Sequence, residues 1–309
     1  MDSRASRFDY VTVGHVTRDV IEDRAGDAVA QPGGGAFYSA LQASRLGLRT
    51  SIVTQGVPRE IEALLEPYIG ELDLQVIPAK HTTTLSTRGA GEKRSQRLLA
   101  WAGPIVEPLT LDADILHVAP VARETPLHWQ GQARFVGLTP QGLVRHWEQG
   151  DGVPLVQLDT GSLLGDVPLS IGAGVALAGD ISPVELDPSA LPERFDAAVI
   201  SEHECQSCHP LFAAARDCGA YVAVTAGSRP ATVHLPDPTG GSVVQTALPR
   251  LVRLRDDLGA GDVFAAAFFV ALSEGRDPLE AATFGNAAAA VRISGVGPDS
   301  IASRAAITP

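Results

Sequence analysis

The run Asp256-Asp257-Leu258-Gly259-Ala260-Gly261-Asp262-Val263-Phe264 sets a glycine-rich turn directly before a strongly apolar helix pattern, Val263 to Leu272. The first backbone N–H groups of a helix lack intrahelical acceptors, and the macrodipole adds roughly half a positive charge there, so such a start attracts anions. The amides of Gly259, Ala260 and Gly261 are candidates to close around a phosphate oxygen, because their small side chains let it approach. Asp262 falls in the same turn, where the dipole is expected to hold its carboxylate ionised. An ionised carboxylate beside a phosphate cradle can take a proton from an attacking hydroxyl. That pairing is the chemistry of phosphoryl transfer to an alcohol. The blander alternative is that Asp262 simply caps a core helix, a role Asp favours.

Composition removes several other classes. A chain of 309 residues suits one large α/β domain, or one domain with a small appendage. A net charge of -12 with scattered basic residues argues against a nucleic-acid partner. No run approaches the roughly 18 apolar residues of a membrane span. The start, Met1 to Arg7, lacks the apolar stretch of a signal peptide, so a cytoplasmic protein is expected. The only lysines, Lys80 and Lys93, follow no Gly-x-x-x-x-Gly loop and sit in no protein-kinase motif, so phosphate binding falls to backbone amides. Cys205-Gln206-Ser207-Cys208-His209 satisfies the haem-attachment pattern, but it opens an apolar helix, Leu211 to Ala215, and lacks an export context. A zinc site using His203 and His209 would want a closed set of four ligands in a compact module. Three cysteines with an odd Cys218 suit a reducing compartment.

The elements that must position the turn follow a βαβ rhythm. Tyr10 to His15 reads as a buried first strand, Ala36 to Leu46 as a helix closed by Gly47, Arg49 to Gln55 as a strand, Pro58 to Ile69 as a helix and Leu74 to Pro78 as a strand. This alternation predicts a mostly parallel sheet with helices on both faces. The first strand is not followed by a dinucleotide-type glycine pattern, which excludes a Rossmann dehydrogenase. Residues 82–105 interrupt the rhythm as a β-hairpin, with Gly89-Ala90-Gly91 as its turn. Ile115 to Ala119, Arg134 to Leu138, the strand beginning at Ala197, and Tyr221 to Ala226 continue the core, with Ala231 to Leu235 and Ser242 to Ala247 as flanking strands and Leu279 to Ile293 as a late helix. Asp151 to Arg194, rich in Pro, Gly and Asp, is expected to add a hairpin or loop.

Asp256-x-x-Gly259-Ala260-Gly261-Asp262-x-Phe264, late in the chain, resembles the C-terminal signature of the ribokinase-like (PfkB) sugar and nucleoside kinases, and Pro32-Gly33-Gly34-Gly35 before a small-residue helix resembles their N-terminal signature. The resemblance implies a three-layer α/β fold over 1–309, with a small β lid from about 16–32 and 82–105 that forms a dimer contact in several members. It implies that Asp19, Gly33 and Gly34 hold the acceptor and that Thr225, Gly227 and Asn286 lie on the nucleotide side. Ser201-Glu202-His203-Glu204 resembles an Asn-x-x-Glu motif whose acid holds Mg²⁺ through water, with Glu204 matching and Ser201 replacing Asn. Family members commonly hold K⁺ beside the anion cradle, and Asp256 and Ser300 match its ligands. Ribokinase itself carries a lysine and then an asparagine where this chain has Gly35 and Tyr38, so Tyr38 is expected to narrow the pocket or supply a stacking face. The glycine motif and Thr139-Pro140-Gln141-Gly142 resemble the inositol-kinase-like branch more than ribokinase.

Together these readings predict ATP- and Mg²⁺-dependent phosphorylation of a hydroxyl on a small sugar, cyclitol or nucleoside, with Asp262 as base and Gly259 to Gly261 stabilising the transferring group. Two alternatives stay open at this stage: a sugar-binding or regulatory protein on the same fold, and a sugar-phosphate hydrolase using the same cradle.

Overall fold

The computed structural model describes residues 7–22, 28–89, 94–106, 109–125, 128–147, 179–237 and 243–307. The chain begins with β1 (Phe8–Val13), β2 (Thr17–Glu22) and β3 (Ala28–Gly33), then α1 (Gly35–Arg45), β4 (Thr50–Gly56), α2 (Pro58–Leu65) and β5 (Asp73–Pro78). It continues with β6 (Thr84–Arg88), β7 (Ser95–Ala100), β8 (Ala113–Val118), β9 (Ala133–Leu138) and the short β10 (Arg145–His146), β11 (Gly179–Asp180) and β12 (Ser182–Pro183). The last part holds β13 (Ala197–Ser201), α3 (His209–Cys218), β14 (Tyr221–Ala226), β15 (Arg229–Leu235), β16 (Val243–Ala247), α4 (Ala260–Ser273), α5 (Pro278–Ser294) and α6 (Arg304–Ile307).

A nine-stranded sheet runs in the order β16-β15-β14-β13-β9-β8-β1-β4-β5. The strands from β14 to β5 pair in parallel, and β15 and β16 close one edge antiparallel. Successive residues of a strand face opposite sides, so the apolar run of β1 serves two cores. Tyr10 packs with Ile52, Ile115 and the helices α1, α4 and α5, whereas Val11 and Val13 pack with Leu116, Val136 and Leu211 of α3. This is the three-layer α/β architecture that the βαβ rhythm predicts.

The hairpin expected within 82–105 forms from β6 and β7, while Ala90 and Gly91 of its turn lie outside the described residues. It joins a separate five-stranded sheet, ordered β11-β7-β6-β2-β3, in which β2 and β6 are parallel. Of the stretch 151–194, residues 151–178 lie outside the described residues; β11 pairs with β7, and β12 with β10. The helix expected over 58–69 stops at Leu65 and tightens into a 3₁₀ turn, Glu66–Tyr68, because Pro67 has no N–H to continue the ladder.

One buried side chain stitches the parallel strands where their C-terminal ends approach the pocket. Glu124, fully buried, accepts from the amides of His15 (2.8 Å), Val121 (2.8 Å) and Ala122 (2.6 Å), which joins the chain after β1 to the chain after β8. Amides stripped of such a partner in the interior cannot be rehydrated there. Glu124→Ala is therefore expected to lower the unfolding free energy by about 3 kcal/mol or more, read as a fall in the urea midpoint.

Candidate active site

The C-terminal edge of a parallel sheet is where ligands bind in α/β proteins, and the pocket lies there. Its wall draws Asp19 from β2, Gly34, Gly35 and Tyr38 from the start of α1, Thr139 and Gln141 after β9, Ser201 and Glu204 after β13, Thr225 from β14, and Asp257 to Asp262 at the start of α4. The sequence separates these residues by as much as the length of the domain; the sheet brings them together.

Gly259 caps α4 in the left-handed conformation (φ 73°), and a Cβ there would collide with the Tyr38 ring, so both backbone and packing require glycine. Ala260 N turns back to the Asp257 carbonyl at 3.3 Å and Val263 N bonds the Gly259 carbonyl at 3.0 Å, which leaves the Gly261 and Asp262 amides as the open donors of the first turn. A Cβ at Gly261 would meet only open space, consistent with its place on the pocket wall. The open donors of this turn are thus centred one residue later than Gly259 to Gly261.

Asp262 does not behave as the helix dipole alone would have it. Although partly exposed at the pocket, its carboxyl is pushed up to about 7, first by burial and further by Glu204 and Asp19, with Arg145 pulling the other way. Loss of water and two neighbouring acids outweigh the dipole, which corrects the expectation of a fully ionised group. A Cβ on Gly35 would stand 2.9 Å from an Asp262 carboxylate oxygen, and Ser39 Oγ reaches the Asp262 carbonyl at 3.3 Å. The first turns of α1 and α4 therefore face each other across this carboxyl.

Asp19, almost wholly buried, is pushed up to about 6 by desolvation, against Thr17 Oγ1, which donates to it at 2.6 Å, and the charges of Arg145 and Arg94. Gly33 packs against this carboxylate while Gly34 and Gly35 line the pocket, so Gly33 makes room for Asp19. Tyr38 is buried as a plate behind Gly259 and still contributes to the pocket wall. Glu204 lines the pocket but also completes a capping box, Oε2 accepting from Ser201 N at 2.8 Å. Thr225 lines the pocket, whereas Gly227 and Asn286 lie outside its lining; Asn286 donates to the carbonyls of Ala247 (3.2 Å) and Leu248 (3.1 Å). Asp256 and Ser300 do converge, but on the guanidinium of Arg292, which bonds both.

Solved structures with this architecture include a pyrophosphate-dependent kinase in the ribokinase family (18% identity, 94% of this chain and 96% of that one, TM-score 0.67). A nucleoside kinase of Methanocaldococcus jannaschii (17%, 97% and 97%, TM-score 0.66) and Arabidopsis thaliana ribokinase complexed with ribose and ATP (18%, 97% and 97%, TM-score 0.60) are similar in the same way. Residues 190–304, which contain the anion turn and Asp262, match the profile of the pfkB family carbohydrate kinases. Residues 190–304 thus resemble the pfkB kinases in sequence, and the fold is one shared with solved ribokinase-family structures. No curated protein sequence matches the chain.

Two arginines of the site had no signal in the sequence beyond being charged. Arg145, on the two-residue β10, is buried in the pocket wall, donating to the Val121 carbonyl (2.8 Å) and to Gln96 Oε1 (2.7 Å). Burial pulls its pKa down, and Glu204, Asp19, Asp262 and Glu124 hold it up. Arg94 lines the pocket from the five-stranded sheet and pairs with Asp257 at the anion turn, so the two sheets meet at the site. Both would have needed contacts between residues far apart in the chain to be found.

The raised carboxyls make a prediction about stability. Asp19 and Asp262 hold protons in the fold that an unfolded chain releases from a pKa of 3.8, so their burial costs stability increasingly as pH rises towards about 6 and 7. Asp262→Asn removes one of these charges. Its melting temperature should exceed the wild type's, by more at about pH 8 than at about pH 5, in paired calorimetric scans.

Proposed function

We propose that this protein is a kinase that transfers the γ-phosphoryl group of ATP to a hydroxyl of a small sugar, cyclitol or nucleoside, with Asp262 as the general base. The observation that carries the reading is the position of Asp262, which shares the first turn of α4 with the open Gly261 amide and faces α1 across Gly35. A base whose pKa is about 7 accepts a proton readily at neutral pH and can give it up again. Asp19, ionised for the most part at that pH, would accept hydrogen bonds from acceptor hydroxyls, and Gly34 lets the acceptor approach the backbone. As a hydroxyl attacks, its proton passes to Asp262, while the first-turn amides meet the charge spread over the transferring phosphoryl oxygens.

Glu204 fits the part of a Mg²⁺ holder, because a carboxylate with one oxygen in a capping box retains lone pairs for the ion's water shell. The ion, when bound, neutralises charge on the donor phosphates. After β16, Leu248 and Leu251 are 73% and 80% exposed and would offer a purine apolar surface.

The test is phosphoryl-donor consumption over a panel of polyols, sugars and nucleosides, with and without Mg²⁺. A parallel arm uses pyrophosphate, since Asn286 spends its amide on the Ala247 and Leu248 carbonyls rather than on the pocket. Consumption of ATP that depends on one acceptor supports the proposal. Binding without turnover would favour a regulator, and release of phosphate from a sugar phosphate a hydrolase. Asp262→Asn should lower kcat by about 10²–10⁴-fold while donor and acceptor affinity change little. A variant keeping more than about a tenth of the wild-type kcat would remove Asp262 from the role. The wild-type kcat/KM should rise with pH through about 7, as the carboxyl ionises.

A further inference from the structure

Arg292 is the largest fully buried side chain among the described residues, on a helix whose neighbouring turn, Ala287 to Ala290, is all alanine. A guanidinium taken wholly out of water is costly unless oxygen atoms surround it. Here Nη2 donates to Asp256 Oδ2 at 2.7 Å, and Nη1 lies 3.3 Å from the Asp256 carbonyl and 3.2 Å from Ser300 Oγ. The second face of the cluster is backbone. Asp256 also accepts from the amides of Leu258 and Gly297, both at 3.0 Å, and Ser300 Oγ lies 2.7 Å from the Gly297 carbonyl. Burial would raise the Asp256 carboxyl, but the Leu258 amide, Arg292 and the Gly297 amide together bring it below its ordinary value.

The guanidinium therefore joins three pieces of chain: the residues entering the anion turn, the end of α5, and the loop that follows it. It also lies behind the turn itself, since its central carbon is 5.6 Å from the centre of the Tyr38 ring, the plate against which Gly259 packs. These are the oxygens, and this is the place, that the sequence resemblance assigns to K⁺. A K⁺ ion and the Nη atoms of Arg292 cannot share them, so the residues present do not fit the ion.

We infer that Arg292 is a built-in replacement for a monovalent cation, a positioning residue that holds the turn from Asp256 to Gly261 in its anion-binding form at all times. A tethered charge brings no dependence on salt composition, and it arrives already oriented by α5. The rate arm of the test rests on the kinase reading above; the thermal arm does not.

Wild-type kcat should agree within about twofold in KCl, NaCl and tetramethylammonium chloride at matched ionic strength, and its melting temperature should be equally indifferent to the cation. Arg292→Ala should lower kcat by about 10²-fold, the scale of losing one preorganised electrostatic group, with the acceptor KM unchanged. The oxygens it vacates form a cation site, so KCl should raise the variant's melting temperature and restore part of its rate, whereas tetramethylammonium, too large to enter, should do neither. Arg292→Lys, which keeps a charge in the same cavity, should retain more activity than the alanine variant and stay insensitive to KCl. A wild-type rate or melting temperature that rises selectively in KCl would overturn the inference, as would an Arg292→Ala enzyme turning over at the wild-type rate. Should the alanine variant not fold, the wild-type salt panel and the lysine variant decide the question. Should no donor and acceptor pair be turned over, the melting temperatures decide it alone.

Discussion

A helix that is apolar on every side can present polar groups only at its ends, and α4 is such a helix. Val263 to Ala271 are buried without a break, packed between the central sheet and the helices α1 and α5. Its first turn is the one part that meets the pocket, and the unpaired amides of that turn cannot be left against an apolar wall. The surrounding structure answers this constraint. The central sheet delivers its C-terminal edge there, α1 turns its own glycine-rich start towards the same point, and the left-handed Gly259 sets the angle at which the chain enters.

The electrostatics follow from the same crowding. Among the described residues, four acidic side chains, Asp19, Glu204, Asp257 and Asp262, line one pocket with Arg94 and Arg145 against them. A fold selected for stability alone would not assemble this group, since acids brought together out of water raise one another's pKa values. The cost is limited by pairing Arg94 with Asp257 and by burying Arg145 where it faces the rest. On the proposed function this excess of acid has a use, since a hydrated divalent ion and a proton acceptor both want it.

Much of this was legible in the chain. Strand and helix positions came through because their apolar runs and periods are local properties, and β1, β4, α1 and α5 fall within a few residues of where the pattern puts them. That the glycine turn, Asp262, Asp19 and Thr225 line one pocket was legible because glycine spacing and strand ends mark the sheet's C-terminal edge. What the chain did not reveal shares a cause. Whether Asp262 keeps its proton, whether Glu204 is free or capping, and whether Asp256 faces a metal or Arg292 are questions about what stands opposite, and sequence neighbours do not determine that. Arg145, Glu124 and Arg292 were passed over for the same reason: an isolated charged residue reads as surface, and burial with partners far along the chain leaves no periodic trace.

The packing of α1 against α4 also governs how the protein is made. Ser39 meets the Asp262 carbonyl across 223 residues of chain, and Arg45 holds the carbonyls of Pro298 and Ile301 across 253 and 256. During synthesis α1 emerges with Ala36 to Ala43, all buried in the finished fold, beside β1 and β4, but the face that α4 covers waits until α4 follows. At about 5–20 residues per second this leaves an apolar helix face waiting for ten seconds or more on the nascent chain. The geometry that lets two helix starts share one carboxyl thus makes the nascent protein a client for chaperones, and makes its N-terminal half, released early, prone to aggregate.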